Sequence, residues 1–320
     1  MDVQTTVKLS SKNPFQLDYD SKVLLFGSCF AENIGSKLAY YNFQQLCNPF
    51  GILFHPEAIE RQITAAINQK EYREEELFLL NEQWHSFDAH SKLSAHESAD
   101  LISSLNKAVE QTNHYLKEAS HLFISLGTAW VYRHIETDTV VANCHKIAQK
   151  NFLKELLSVE AIVQNLEASI RLARSINPTM SILLTVSPVR HVKDGMIENN
   201  RSKAHLLAAL HQLVDPRNNV HYFPSYELLL DELRDYRYYD RDMVHPSDVA
   251  IDYIWEKFQR VWVHPATETT MKEVDSIRKG LAHKPFNPKS QDYQRFTQEL
   301  QKKMETLQAR FPFMSFGQDR

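Results

Sequence analysis

Five short apolar runs, separated by stretches of helical periodicity, constrain this chain more than any other feature. The runs are VLLF (23–26), FQQLC (43–47), HLFISLG (121–127), SILLTVS (181–187) and NVHYFPS (219–225). Each is brief, apolar and ends at a turn-forming or polar residue, which is the signature of a buried strand. Helical patterns lie between or after them, near 57–69, 98–119, 155–175, 201–214 and 246–260. In the 98–119 stretch Leu101, Leu105, Ala108, Val109 and Leu116 recur at three- and four-residue steps, so one helical face is buried. Strands alternating with helices predict an α/β fold, a doubly wound and mainly parallel sheet with helices on both faces. With 320 residues, 43% of them apolar, the chain has the material for such a core.

Two segments break the alternation. Residues 81–97 form a polar, His-rich connection, long enough to serve as a lid or substrate-contact loop. Residues 129–147 read as a hairpin around Glu136-Thr137-Asp138. From about residue 264 the apolar strands stop, and residues 266–320 carry +3 where the preceding 265 residues carry −7. The expected organisation is an α/β domain over 1–264 and a helical C-terminal extension over 265–320, two helices around the Lys284–Pro288 break. Those helices pack on the main domain or on a partner, and they are the candidate surface for a homo-oligomer.

Glycine spacing removes whole classes of function. The seven glycines stand at 27, 35, 51, 127, 195, 280 and 317, too far apart for a dinucleotide fingerprint or a phosphate-cradling loop. The formal charge of −4 predicts no nucleic-acid partner. Fifteen histidines include no HExxH, and Cys29, Cys47 and Cys144 form no CxxC pair, so neither a metal nor another cofactor is expected. An odd number of unpaired cysteines fits a reducing compartment. Residues 1–20 show no apolar leader core, and the run VLLFGSCFA is too short to span a bilayer. A cytoplasmic protein without a membrane partner is the expectation.

In an open parallel sheet, ligands bind at the carboxyl ends of the strands. The residues just past each run are Gly27-Ser28-Cys29, Asn48-Pro49-Phe50-Gly51, Gly127-Thr128, Ser187-Pro188 with Arg190, and the late Asp242-Met243-Val244-His245. Ser28 sits where a strand turns into a helix, placing its hydroxyl at the sheet edge beside helix N-terminal N–H groups. It is a candidate nucleophile, or a plain N-cap. Asp242, three residues before His245, is placed to accept the ring Nδ1–H and leave Nε2 free to take a proton from a hydroxyl. Asp240 and Asp248 are alternative partners for the ring. Cys29 is a second candidate nucleophile, or a small buried hydrophobe. Arg190 and His191 either bind an anionic substrate group or are solvated, and His90 is placed to line the cleft. The aromatics of DYRYYDRD (235–242) form a substrate wall or pack the loop that carries Asp242 and His245.

Phe26-Gly27-Ser28-Cys29-Phe30-Ala31 resembles the signature of the GSCFA family, which is similar to the SGNH/GDSL hydrolases. The resemblance extends over about residues 20–260 through Leu126-Gly127-Thr128-Ala129-Trp130, Asn143-Cys144-His145-Lys146 and Thr185-Val186-Ser187-Pro188-Val189. It implies a flavodoxin-like three-layer sandwich in which Ser28 is the nucleophile and Asp242 and His245 complete a triad. It also places Gly51 as a backbone oxyanion donor beside Ser28 N–H. The broader superfamily carries Gly-x-Asn-Asp at its third block, where this chain has Gly127, Thr128, Ala129 and Trp130. Losing that Asn removes an oxyanion donor, an interaction worth about 2.7–4 kcal/mol in a hydrolase. Asn48 is the first choice to replace it, with Thr128 a second. The implied activity is cleavage of a carboxylic ester through an acyl-enzyme, on a small-molecule or carbohydrate ester such as an O-acetyl sugar. An acyltransferase with the same triad and a non-catalytic ligand-binding protein are the alternatives.

Overall fold

The computed structural model describes residues 5–11 and 14–317. Residues 1–4, part of the N-terminal stretch lacking an apolar leader core, lie outside the described residues, as do 12–13 and 318–320. In chain order the strands are β1 (Lys22–Gly27), β2 (Gln44–Cys47), β3 (Phe78–Leu80), β4 (Gln83–His85), β5 (His121–Leu126), β6 (Trp130–His134), β7 (Thr139–Val141), β8 (Phe152–Leu156), β9 (Ser181–Val186) and β10 (Val220–Tyr222). The helices are α1 (Cys29–Tyr40), α2 (Pro56–Ile67), α3 (Ser98–Glu118), α4 (Val159–Ile176), α5 (Met196–Leu213), the single turn α6 (Ser225–Glu227), α7 (Asp248–Trp262), α8 (Glu268–Ala282) and α9 (Gln291–Arg310).

The five predicted strands form one parallel sheet in the order β2-β1-β5-β9-β10. Alternate side chains of each strand enter opposite cores, which explains why the runs are apolar throughout. Leu24, Phe26, Ile124, Leu184 and Val186 pack with Ile59 and Ile63 of α2, Leu105 of α3, Leu166 of α4 and Leu206 of α5. Val23, Leu25, Phe123 and Leu183 pack instead with Ile34 and Leu38 of α1 and Ile254 and Phe258 of α7. The result is the expected three-layer sandwich.

The C-terminal helices close the second core. Met271, Val274 and Ile277 of α8 and Leu300 and Leu307 of α9 are buried in it beside Tyr19, Phe43 and Trp255. Arg278 donates to the Ala39 carbonyl at 3.1 Å and to Asn42 Oδ1 at 3.0 Å, and Tyr40 donates to Asp275 at 2.7 Å. These bonds tie α8 to the C-terminal end of α1. Among the described residues no helix is long and apolar enough to cross a membrane.

The structure differs from the sequence expectation in three places. The predicted hairpin is a three-stranded sheet, because Phe152–Leu156 pairs antiparallel with β6, from Trp130 opposite Leu156 to His134 opposite Phe152. That run abuts α4, so its period merges with the helix in the sequence. Helix α5 begins at Met196, earlier than expected, after Gly195 takes a φ of +110° that turns the chain. The connection at 81–97 contains β4 of a small hairpin and a 3₁₀ turn over Ser91–Leu93.

Candidate active site

The strand order reverses between β1 and β5, the crevice where ligands bind in sheets of this kind. Gly27 ends β1 with a φ of +136°, and a Cβ there would meet the Ser125 carbonyl oxygen at 2.0 Å. Only glycine fits. Ser28 then caps α1, its Oγ accepting the Phe30 N–H at 3.2 Å. The side chain is 1% exposed, and its Oγ lies 3.0 Å from Ser125 Oγ. Its own N–H donates to the Ser125 carbonyl at 2.9 Å, continuing the β1–β5 ladder. Phe30 and Ala31 are buried, so the rest of the string anchors α1 in the core.

After β2 the chain turns through Asn48, which has a φ of +46°. Asn48 Oδ1 accepts the Gly27 N–H at 2.8 Å. Because an N–H must face the oxygen, that bond fixes which end of the amide is which. Nδ2 is then buried with no hydrogen-bond partner among the described residues, on a residue 7% exposed. The Gly51 N–H is engaged with the Asn48 carbonyl at 2.7 Å. The Cβ of His90 rests on Gly51, and His90 Nδ1 accepts the Lys92 N–H at 3.2 Å. Burial lowers the pKa of His90.

Asp242 and His245 meet as the spacing predicts. Asp242 Oδ2 accepts from His245 Nδ1 at 2.6 Å, while Oδ1 accepts the Val244 and His245 N–H groups at 2.8 and 2.9 Å. The ring bond and those two amides hold the Asp242 carboxyl down at about 2, so it is ionised at any ordinary pH. The loop is tight, with Met243 at a φ of +58°. Arg190 holds it. Its N–H donates to the Val244 carbonyl at 3.2 Å, its guanidinium to the Met243 carbonyl at 3.3 Å, and that guanidinium stacks 3.9 Å from the Tyr239 ring centre. The tyrosines of 235–242 thus pack the loop through Arg190.

The loops after β5 and β9 are tied by a residue that sequence reasoning missed. Lys203 of α5 is 1% exposed and its Nζ donates to the Gly127 and Ser187 carbonyls, both at 2.7 Å. Burial without a carboxylate brings its pKa down to about 7. A neutral amine has two N–H groups, matching the two carbonyls. Ser187 is buried, its Oγ accepting the Val189 N–H at 3.2 Å. Thr128 Oγ1 accepts the Trp130 N–H and lies against Ser202 Oγ, both at 3.0 Å, while the Thr128 N–H donates to Phe54. Ser187 and Thr128 therefore brace the loops. His191 packs over Gly127, where a Cβ would lie 2.9 Å from its Nε2. Its Nε2 is buried without a partner, and burial, with Lys203 and His245 nearby, pushes its pKa to about 3.

Asp242 and His245 are joined, and Ser28 lies with Ser125. No hydrogen bond joins Ser28 to His245 among the described residues. Burial and the Glu32 carboxylate raise the Cys29 thiol, the reverse of what an activated nucleophile needs. Ser125 and Lys203 were not singled out in the sequence, and His191, expected to bind an anionic substrate group or be solvated, instead packs over Gly127 with a buried Nε2. Ser125 meets Gly27 only through the β1–β5 register, a pairing of residues distant in the chain. Nothing local marks Lys203, a lysine within an amphipathic helix.

The GSCFA family model matches residues 22–258, and that of the GSCFA domain protein C-terminal domain matches residues 274–320. Among solved structures, the chain is similar to a carbohydrate esterase family 3 protein from Talaromyces cellulolyticus, with a TM-score of 0.36 and 8% identity over 79% of this chain and 99% of that one. An acetyl esterase mutant with acetate ion has the same coverage, a TM-score of 0.36 and 9% identity. No curated protein sequence matches the chain.

Proposed function

Because the chain belongs to the GSCFA family and folds its signature string into a capped serine at the switch point, we propose that it is a serine hydrolase of carboxylic esters. The observation that carries this reading is the Asp242–His245 pair. With Nδ1–H given to the carboxylate, Nε2 holds the lone pair that a general base needs, and it makes no hydrogen bond among the described residues. In this reading Ser28 leaves Ser125, passes its proton to His245 Nε2, and its oxygen bonds to the ester carbonyl carbon. His245 returns that proton to the departing alcohol oxygen as the C–O bond breaks, leaving an acyl-serine. Water then attacks the acyl carbon with His245 as base again, releasing the acid and restoring Ser28.

Negative charge develops on the carbonyl oxygen at each attack and needs a donor already aimed at it. The Ser28 and Gly51 N–H groups are engaged with backbone carbonyls. Asn48 Nδ2 is the buried amide donor left over, and it takes the oxyanion role that the missing third-block Asn would have had. Asp242, ionised, stabilises the imidazolium, and Arg190 acts through the loop it holds.

Intact-mass labelling with a fluorophosphonate probe tests the assignment. Wild-type protein should take up one equivalent, and Ser28→Ala and His245→Ala should take up none while melting as the wild type does. A folded wild type that stays unlabelled overturns the nucleophile and leaves a ligand-binding protein on this fold.

A further inference from the structure

Beyond the last β5–β9 pair, Leu126 with Val186, one more bond runs from the Ser187 N–H to the Leu126 carbonyl at 2.8 Å. The next two carbonyls, Gly127 and Ser187, both accept from Lys203 Nζ instead. Lys203 is 1% exposed, and taking an amine out of water without a carboxylate beside it is costly. A methionine would fill the same space without that cost, so packing does not account for an amine here.

Those bonds fix the start of a short segment, residues 187–191. Ser187 Oγ accepts the Val189 N–H at 3.2 Å, closing the turn around Pro188. The far end is held by the same helix. Asn199, 2% exposed and four residues before Lys203 on α5, accepts the His191 N–H through Oδ1 at 2.8 Å. Between the two anchors stands Arg190, which donates to the Val244 and Met243 carbonyls. Among the described residues, these are the only hydrogen bonds that reach residues 242–245 from outside 240–245. The bond to Asp242 orients the His245 ring within its loop, and Arg190 ties that loop to the end of the sheet.

We propose that Lys203 and Asn199 are positioning residues for His245, gripping both ends of the segment on which Arg190 carries the Asp242–His245 loop. Neither touches a reacting atom. The proposal rests on the hydrolase reading for the reaction it serves, whereas the grip on Arg190 does not need an activated Ser28.

The test compares the full chain with Lys203→Met, Lys203→Gln and Asn199→Leu, each well below its melting transition. Glutamine keeps two N–H donors and carries no charge. Two quantities are read: hydrogen exchange of the Arg190 amide, which reports its bond to Val244, and steady-state hydrolysis of para-nitrophenyl acetate. In Lys203→Met the Arg190 amide should exchange about tenfold faster or more. Its kcat should fall about 10- to 100-fold with KM within about twofold, because a displaced base costs rate rather than binding. Asn199→Leu should move both quantities the same way, and it decides the matter if Lys203→Met does not fold. Lys203→Gln should recover part of each loss. Arg190 exchange as in wild type overturns the proposal, as does a glutamine variant no better than methionine. Faster exchange with Ser28-dependent kcat unchanged, or a loss confined to KM, defeats the positioning role and leaves the hydrolase reading standing. A wild type that cleaves no ester, with exchange still raised in the variants, defeats the hydrolase reading and leaves the grip of α5 on Arg190 in place.

Discussion

Asn48 carries two jobs in one amide. Its oxygen fixes the Gly27 N–H at the start of the serine turn, and its NH₂ is left buried and unpaired beside that turn. Asn48→Asp keeps the accepting oxygen, the size and the tolerance for positive φ, and removes the donor. It should lower kcat by about 10²–10³ on an ester substrate, with KM nearly unchanged, as expected for a contact made only in the transition state. Thr128→Val, which touches the loop but no reacting atom in this reading, should cost far less. Steady-state kinetics on both variants decide between them. At this scale the Asp242–His245 contact was legible because three residues of loop bring the two together. The end of Asn48 left unpaired was not legible, because it follows from a hydrogen bond to Gly27, distant in the chain.

Lys203 acts between elements, joining the ends of β5 and β9 through the Gly127 and Ser187 carbonyls. Its pKa of about 7 when folded lies below the value of about 10.4 for a solvated lysine. Between those values the unfolded chain holds a proton that the folded chain lacks, so folding releases it and stability rises with pH. Below about pH 7 both states hold the proton and this dependence vanishes. Lys203→Met removes the titration and leaves two carbonyls unpaired, at about 1–3 kcal/mol each. Denaturant melts from pH 8 to 10 should therefore show wild type gaining about 1 kcal/mol per pH unit over the variant. A constant difference across that window would mean Lys203 is charged in the fold. The main strands and helices were legible from their periods, whereas β8 was not. Its five residues make sense only against β6, and no local window contains that pairing.

For the whole molecule, the parallel sheet followed from the alternation of strands and helices, but the place of the C-terminal helices did not. Their sequence reads as polar, because each contributes only a narrow buried stripe, Met271, Val274 and Ile277 from one and Leu300 and Leu307 from the other. Burying each such side chain is worth about 1.5–3 kcal/mol, set against about 5–15 kcal/mol for a domain's entire stability. A chain ended at residue 264 should therefore be insoluble or melt at least about 10 °C lower. A soluble truncation with an unchanged melting curve would show instead that α8 and α9 contribute nothing to the fold. The bonds from Arg278 and Asp275 give this dependence a direction in time. They grip the C-terminal end of α1, whose other end carries Ser28. On the ribosome, the serine turn emerges early, but the helix behind it stays unclamped until α8 has left the exit tunnel. A polypeptide still being synthesised thus carries Ser28 on a loosely held helix, and the serine turn gains its far anchor only once α8 has followed.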